Sequence, residues 1–309
     1  MPRLAGIRRL DVDRATSPGR RRHIAAASGL VQVNNRLYVV ADDELHLGVF
    51  DVAGRRPGTL VRIRRGTLPS KKKPRKRAKP DFEALVALPP FGSFVFGALL
   101  ALGSGSRRRR RIGALIRLDA SGDVVPPVRA VDLTPWHRAL ASRFDVVNIE
   151  GAFVDGSTLS LLQRGNAKDP QNAQIRIALP PILDAFARRR RLPPPAIVRI
   201  TRIRLGTIRG TPLCFTDGAA LPGGGFVFSA VAEETDDSVA DGACRGSAIG
   251  IADAHGRVRA LWRLVPPLKV EGVSVRADGG HLELLACTDA DDAHVAARLL
   301  RARLRVRRE

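Results

Sequence analysis

The feature that most constrains the fold of this chain is a short cluster that recurs five times along its 309 residues. Each copy places an acidic or hydroxyl residue beside small and apolar residues. The key positions are Ser28, Glu83, Glu150, Asp217 and Glu271. Successive positions are 55, 67, 67 and 54 residues apart, and the interval from Glu271 through the termini back to Ser28 is 66 residues. Intervals this regular indicate a repeat architecture.

Each unit continues with a turn rich in Gly, Asn, Asp or Pro and then with three further segments of strand length. In the first unit these segments are residues 37–41, 46–51 and 59–63, and in the fourth they are 226–232, 247–253 and 258–264. Four short strands per repeat, separated by turns, describe a blade of a β-propeller. A blade takes roughly 40 or more residues, so no interval holds two blades and the sequence predicts five.

The two ends of the chain complement each other. Only three strands follow Glu271, while residues 4–12 form a lone strand without a unit of its own. Pairing these ends closes the ring and removes an open sheet edge. We therefore predict an all-β, five-bladed β-propeller in which residues 1–309 form a single domain, with short helices at 133–140 and 181–189. A competing interpretation places an arginine-rich helix at 292–306, because several of its apolar residues have helical spacing.

The first strand of each propeller blade lines the central channel, so the five key residues are expected to meet on the axis. Four carboxylates this close raise one another's pKa and need a counter-charge. Carboxylate and hydroxyl ligands suit calcium best, ahead of magnesium and manganese. The sequence thus predicts a divalent cation held by Ser28, Glu83, Glu150, Asp217 and Glu271. The alternative is a water-filled channel whose acids are hydrogen-bonded and partly protonated.

At these positions the chain resembles the soluble calcium-activated nucleotidases, apyrases with a five-bladed propeller. The similarity extends to residues 28–43, which contain a Ser, an Asn turn, Leu-Tyr and paired Asp, and to residues 162–164 and 269–273. The Glu-Gly strand starts also resemble phytase-like and esterase-like propellers, including bacterial groups without an assigned activity. The nucleotidase resemblance implies one axial calcium ion and hydrolysis of nucleoside di- and triphosphates. The chain departs from it at Asp217, where those enzymes have a hydroxyl residue.

The resemblance implies metal-assisted hydrolysis of a phosphate ester or anhydride. The residues expected to bind the phosphorylated ligand are Arg164, Arg107, Arg108 and Lys79. The acidic residues expected to serve catalysis, by orienting water or holding the metal, are Asp42, Asp43 and Glu150. The alternative function is a non-enzymatic propeller that binds an anionic ligand or a protein partner at its charged mouth, with a purely structural metal.

The chain is strongly basic, with 52 Lys and Arg against 30 Asp and Glu and a net charge of +22. The basic runs at 71–79 and 107–111 are expected on one propeller face, and the run at 188–191 on the other. Matching loops of the other blades are acidic, for example at Glu233, Glu234, Asp236 and Asp237. One side of the mouth should therefore be basic and the other acidic. Solvated, mobile loops are the alternative interpretation of each basic run.

Nucleic-acid binding is the rival function, because a charge of +22 attracts any polyanion in a salt-dependent way. Aromatic residues make up only 5% of the chain and do not interleave with the basic runs, so stacking platforms for single strands are missing. Arginine interrupts every apolar run, and no membrane span is predicted.

The three cysteines, Cys214, Cys244 and Cys287, are odd in number and widely spaced. We expect them to act as small buried apolar residues in a reducing cytoplasm. Residues 1–27 contain no apolar stretch as long as that of a signal peptide, which agrees with this location. We also expect a monomer.

Overall fold

The computed structural model describes residues 4–166, 168–234, 243–278 and 281–304. The strands in chain order are β1 (Ala5–Arg9), β2 (Ala27–Val33), β3 (Arg36–Ala41), β4 (His46–Asp51), β5 (Thr59–Arg62), β6 (Phe82–Leu88), β7 (Ala98–Gly103), β8 (Ile112–Leu118), β9 (Val124–Asp132), β10 (Ile149–Asp155), β11 (Thr158–Gln163), β12 (Ala173–Ala178), β13 (Ile197–Arg202), β14 (Thr207–Ile208), β15 (Thr211–Pro212), β16 (Cys214–Ala220), β17 (Phe226–Glu234), β18 (Ala243–Ala252), β19 (Val258–Arg263), β20 (Val270–Asp278), β21 (His281–Thr288) and β22 (Arg298–Leu304).

Five antiparallel sheets of four strands each form the blades of a propeller, as the sequence predicts. Strands β2 to β5 form blade 1, β6 to β9 blade 2, β10 to β13 blade 3, and β16 to β19 blade 4. Blade 5 consists of β20, β21, β22 and β1, in that order. The short strands β14 and β15 form a separate hairpin between blades 3 and 4.

The N-terminal strand closes the ring. In blade 5, β1 pairs antiparallel with β22, with Ala5 opposite Arg301 and Arg9 opposite Arg298. Each innermost strand contacts the next around the axis, and β20 contacts β2. The alternative of an arginine-rich helix at 292–306 is wrong, because Arg298–Leu304 is a strand between β21 and β1. Its helical spacing also fits a strand whose two faces are partly buried.

The core is divided among the gaps between neighbouring blades, with a separate apolar cluster in each of the five gaps. The second strand of a blade packs against a blade on both sides, so all six residues of β7 and of β11 are buried. These strands therefore contain mostly apolar residues in a row instead of alternating apolar and polar residues. The outer strands β9, β13 and β19 are largely exposed and carry the arginines.

Three α-helices lie in the loops between strands. The predicted helices are confirmed as α2 (Thr134–Leu140) and α3 (Pro180–Ala187). The basic run interpreted as a loop contains α1 (Lys72–Ala78), because lysine, arginine and alanine favour helix and Pro74 falls in the first turn, where proline is tolerated. A 3-10 turn at Arg108–Arg110 lies between β7 and β8.

Every innermost strand has a β-bulge near its first residues. The residues skipped by the pairing are Ser28, Glu83, Glu150, Thr216 and Glu271. In blade 4, Asp217 pairs with Ser229, so Thr216 and not Asp217 is equivalent to the other four. The expected register is thus wrong by one residue in this blade. Both residues fit the acidic-or-hydroxyl pattern, and only the strand pairing distinguishes them.

In four of the five blades the residue after the bulge is Gly or Ala, because the innermost strands approach closely there. A Cβ atom on Gly151 would lie 2.9 Å from the Cα of Asp217 in the next blade. We expect Gly151→Ala to lower the free energy of unfolding by about 1–3 kcal/mol, since a backbone atom cannot move aside as a side chain can. Chemical denaturation measures this change. A fully stable Gly151→Ala protein would show that the strands have room to separate.

Candidate functional site

Charged side chains converge where the innermost strands begin, at one mouth of the channel. We call this group the mouth network. Its acidic members are Asp42, Asp81, Glu83, Glu150, Glu233, Glu271 and Asp289. Its basic members are Lys79, Arg110, Arg164 and Lys269. The acids outnumber the bases, so bound protons or an additional cation would offset the excess of carboxylates.

One half of the mouth network is centred on Asp81, immediately before β6. Its carboxylate lies 2.9 Å from the Lys79 ammonium and 2.8 Å from the Arg110 guanidinium, and it accepts a hydrogen bond from Ser104. The backbone of Asp81 has a φ of 62°, a left-handed conformation that aspartate tolerates better than most residues. Burial alone would raise the pKa of Asp81, but Lys79 and Arg110 hold it below its usual value. Asp81 is therefore ionised.

Three carboxylates of this half could bind a cation. Oxygen atoms of Asp42, Asp81 and Glu83 all lie within 4.8 Å of one another. Burial raises the pKa of Asp42 to about 6, against the opposing effect of Lys79. Burial, followed by repulsion from Asp81, Glu150 and Asp42, raises the pKa of Glu83 well above its usual value. A bound cation would relieve this repulsion and stabilise the ionised forms.

The other half joins blades 3, 4 and 5. Arg164 lies between Glu150, at 3.2 Å, and Glu233. Lys269 lies 3.0 Å from Glu233 and 3.5 Å from Glu271. Burial raises the pKa of Glu271 to about 8 and that of Glu150 above its usual value, even with these cations nearby. The arginine and lysine therefore neutralise this half only in part.

The side-chain oxygens of the mouth network are of the kind that bind hard cations. Every acidic member of the mouth network offers carboxylate oxygens, the ligands that calcium and magnesium prefer. One of these oxygens, Oδ1 of Asp42, is buried and accepts no hydrogen bond from the described residues, whereas Oε1 of Glu271 lies 3.5 Å from the Lys269 ammonium. Buried oxygens without a donor are costly unless a cation or water approaches them.

Two of the bulge residues, Ser28 and Thr216, have hydroxyl groups in place of carboxylates. The Thr216 hydroxyl donates a hydrogen bond to the Val270 carbonyl oxygen of blade 5 at 2.7 Å, and its Oγ1 lies 2.7 Å from Ser229 Oγ of blade 4. Ser28 Oγ lies 3.4 Å from the Ala26 carbonyl oxygen. Both hydroxyls still have lone pairs that can accept or coordinate.

Asp217 instead ties neighbouring blades together beside the ring of bulges. It is fully buried, and its Oδ2 accepts a hydrogen bond from the Val273 amide of blade 5 at 2.8 Å. Burial raises the pKa of Asp217 well above its usual value, while the amides of Val273, Gly218 and Leu30 oppose that shift. The side chain thus reaches strands of three blades, which is a structural role.

A cavity of about 570 Å³ adjoins the mouth network between blade 1, α1 and the end of blade 5. Its lining includes Asp42, Lys79 and Asp289 from the network. Further lining residues include the basic Arg20 and Lys72 and the acidic Asp43, Asp291 and Asp292. The volume is in the range of small-molecule sites. Carboxylates that could hold a cation and side chains that could bind an anion therefore meet in one space.

The residues expected to bind phosphate differ in how accessible they are. Arg164 and Lys79 are largely buried and paired with carboxylates. Arg107 and Arg108 are exposed on the rim. The neighbouring Arg109 donates a hydrogen bond to the Arg77 carbonyl oxygen, which confirms that the two basic runs meet on one face.

The remaining residues singled out from the sequence are an ion-paired aspartate, two aspartates outside the described residues and three cysteines. Asp43 is held by Arg20 at 2.8 Å and by Arg75 at 3.3 Å, so its carboxylate already has two charged donors. Asp236 and Asp237 lie outside the described residues. Two thiols, Cys214 and Cys287, are buried as expected, but Cys244 is exposed on the long strand β18.

Sequence reasoning did not assign Asp81 or Lys269 to the site, and it placed Arg110, Glu233 and Asp289 at the mouth only as parts of charged loops. A signal was present for two of them. Asp81 and Lys269 each lie two residues before a bulge residue, a spacing that puts side chains on the same side of a strand. The other three come from second strands or from loops, and no local spacing relates them to the repeat.

Glu271 is expected to make the chain less stable as pH rises. Its pKa is about 8 in the folded chain and 4.5 when fully solvated. Between these values the folded state retains a proton that the unfolded state has lost. The free energy of unfolding therefore falls by up to about 1.4 kcal/mol per pH unit in this window, and Glu271 has no such effect below it. Urea denaturation across this range should show a shallower slope for Glu271→Gln than for the unsubstituted chain. Equal slopes would contradict the raised pKa.

The closed ring of five blades and the charged mouth define the class of this chain as a five-bladed β-propeller. Within that class, the chain belongs to the family described as "Family of unknown function (DUF6929)", whose model matches residues 23–304. No curated protein matches the chain.

Solved structures of similar fold include a luciferin-regenerating enzyme, with 10% identity, a TM-score of 0.48, and coverage of 98% of this chain and 95% of that chain. A Penicillium chrysogenum alpha-L-arabinanase has 10% identity and a TM-score of 0.47, over 97% of this chain and 98% of that chain. A Bombyx mori beta-fructofuranosidase has 10% identity and a TM-score of 0.49, over 91% of this chain and 61% of that chain. Among the described residues, none of the helices is long and apolar enough to cross a membrane.

Proposed function

We propose that the chain is a divalent-cation-dependent phosphohydrolase that acts on a small phosphate ester or anhydride at the channel mouth. The observation that carries this proposal is the position of Asp42. Its carboxylate belongs to the group of three that converge within 4.8 Å, and it also lines the cavity that faces Arg20 and Lys72. A cation site and an anion site are thus adjacent.

The carboxylates that would hold the cation are Asp42, Asp81 and Glu83, with Glu150 and Glu271 completing the ring of acids around the channel. Calcium is the first candidate, as the resemblance to the calcium-activated nucleotidases implies. When bound, such an ion polarises a phosphoryl oxygen and supplies Lewis acidity. The protein would contribute the positions of its own groups around the phosphate.

The side chains of the cavity would bind and orient the ligand. Lys72 lines the cavity and would contact phosphate oxygens, with Arg107 and Arg108 attracting the ligand to the rim. Asp42 lines the same cavity as Lys72 and would orient a water molecule next to the phosphate. Its Oδ1 accepts no other hydrogen bond from the described residues.

A second candidate function is a non-enzymatic propeller that binds an anionic ligand or a protein partner, with a structural cation. The ion pairs of Arg164 and Lys79 favour it, because these two residues already satisfy carboxylates and would have to leave them to bind phosphate. In this alternative the mouth network holds the blades together and the rim alone binds.

Release of inorganic phosphate distinguishes the two functions. We expect the chain to release phosphate from at least one member of a panel of nucleotides and phytate when calcium is present, and to stop when a chelator is added. Elemental analysis should find about one metal ion per chain. Bound metal without release from any substrate would favour the binding propeller, and a chain that binds no metal would reject the proposed cation site.

A further inference from the structure

The propeller face opposite the channel mouth carries an exposed apolar tip. It belongs to the loop between β6 and β7, where Val95 is 63% exposed and Phe96 is 52% exposed. Burial of one such side chain contributes roughly 1.5–3 kcal/mol, so water is an unfavourable surrounding for two of them side by side. An adjacent apolar phase would remove this cost.

The base of this loop is firmly held, so the tip is a fixed projection. The Phe91 and Phe94 rings stack with centroids 4.5 Å apart, and the two residues exchange backbone hydrogen bonds. The Arg117 guanidinium lies 4.9 Å from the centre of the Phe94 ring and donates to Ser93 Oγ at 3.0 Å. Phe91 and Phe94 are thereby packed, while Val95 and Phe96 remain outside.

A row of arginines adjoins the same loop at the end of α3. Arg188–Arg191 are all exposed, and Gly92 of the loop packs against Ala187 just before them. Arg129 fixes the row, because it donates to the carbonyl oxygens of Phe186, at 3.1 Å, and Arg190, at 2.7 Å. Asp184 pairs with Arg188 and offsets one of the four charges.

We propose that this face docks on a bilayer of anionic lipids. Val95 and Phe96 would enter the boundary between head groups and acyl chains, and the guanidinium groups of Arg188–Arg191 would bind lipid phosphates. The arginines alone would also match an acidic protein. The apolar tip beside them needs an apolar phase directly next to the negative charges, which an anionic bilayer provides. In this orientation the channel mouth faces the solution.

The test is co-sedimentation of the full chain with vesicles of phosphatidylcholine alone and of phosphatidylcholine mixed with phosphatidylglycerol. We expect binding to the mixed vesicles and much weaker binding to the neutral ones. The double variant Val95→Ser, Phe96→Ser should bind the mixed vesicles about tenfold more weakly. Each of Arg190→Ser and Arg191→Ser should weaken binding roughly fivefold, the equivalent of one surface arginine near an anionic membrane.

Matched variants on the mouth face separate this proposal from general attraction of a basic chain. Val265→Ser removes an apolar side chain that is 84% exposed in the loop before β20, and Arg107→Ser with Arg108→Ser removes two exposed charges. These variants should leave vesicle binding nearly unchanged. Equal weakening by mouth-face and opposite-face variants would overturn the proposal.

Two further outcomes would also overturn it. One is equal binding to neutral and mixed vesicles. The other is binding that depends on the arginines but not on Val95 and Phe96, which would indicate a site for a soluble polyanion. A Phe96→Trp variant gives a direct readout, since indole emission should shift to shorter wavelength when mixed vesicles are added. A Val265→Trp variant should show no shift.

Discussion

Replacing Glu83 with glutamine should lower calcium-dependent phosphate release by about a hundredfold or more, while leaving the fold intact. Glu83 belongs to the group of three carboxylates that converge within 4.8 Å. Loss of one carboxylate ligand from such a site removes several kcal/mol of electrostatic stabilisation, and each 1.36 kcal/mol is a factor of about ten in rate. Initial rates at saturating calcium measure the effect.

Stability should change in the opposite direction to activity. Burial raises the pKa of Glu83 well above its usual value, so the ionised form is disfavoured in the folded chain. A neutral glutamine of the same size avoids this penalty, and the melting temperature without calcium should be equal or higher. The stabilisation that calcium gives to the unsubstituted chain should, in contrast, be lost.

Glu234→Gln is the matched control for Glu83→Gln. The Glu234 side chain is 58% exposed and pairs with Arg245, which is 44% exposed, outside the mouth network. Glu234→Gln is the same chemical change as Glu83→Gln. The rate of phosphate release by the Glu234→Gln variant and its response to calcium should therefore match those of the unsubstituted chain. If Glu83→Gln keeps both its phosphate release and its calcium response, the proposed cation site is wrong.

The architecture was predictable from the sequence because it depends on patterns that repeat. The strands of blade 1 match the expected segments to within one residue, and the N-terminal strand completes blade 5. Buried second strands such as β7 need a continuous apolar run, and turns need Gly, Asn or Asp, so each blade has a recognisable order of segments. The same pattern left the inner register of blade 4 ambiguous between Thr216 and Asp217.

The mouth network was predictable only in part because it is assembled from pairs of distant residues. Lys79 lies 2.9 Å from Asp81 within its own loop, but Arg164 reaches Glu233 across blades. Sequence spacing does not indicate which loop side chains turn inward. From the sequence alone Arg164 is expected to bind phosphate, whereas in the structure it pairs with two carboxylates. Burial and pairing decide whether an arginine is structural or available to a ligand.

Replacing Arg164 with alanine should therefore destabilise the chain by about 3–5 kcal/mol at neutral pH. The Arg164 side chain is only 12% exposed, and its guanidinium separates Glu150 from Glu233. Without it, the buried Glu150 carboxylate loses its counter-charge and Glu233 loses one of its charged partners, and breaking a buried ion pair in this way is strongly destabilising. Urea denaturation gives the change in the free energy of unfolding.

The pH dependence of this loss tests its cause. Burial already raises the pKa of Glu150, and removal of Arg164 takes away the main opposing effect. In the variant the folded state will take up protons more readily than the unfolded state, so the destabilisation should shrink as the pH falls towards about 5. Adding Glu150→Gln to Arg164→Ala should recover part of the stability at neutral pH, because the carboxylate that has lost its Arg164 partner is replaced by a neutral amide.

Arg245→Ala provides the comparison with an exposed pair. The side chains of Arg245 and Glu234 are 44% and 58% exposed, and loss of such a surface ion pair costs about 1 kcal/mol or less. If Arg164→Ala were no more destabilising than Arg245→Ala and instead raised only the KM for a phosphorylated substrate, Arg164 would be a phosphate ligand. A large, acid-sensitive loss of stability would instead identify Arg164 as the counter-charge of Glu150 beside the channel.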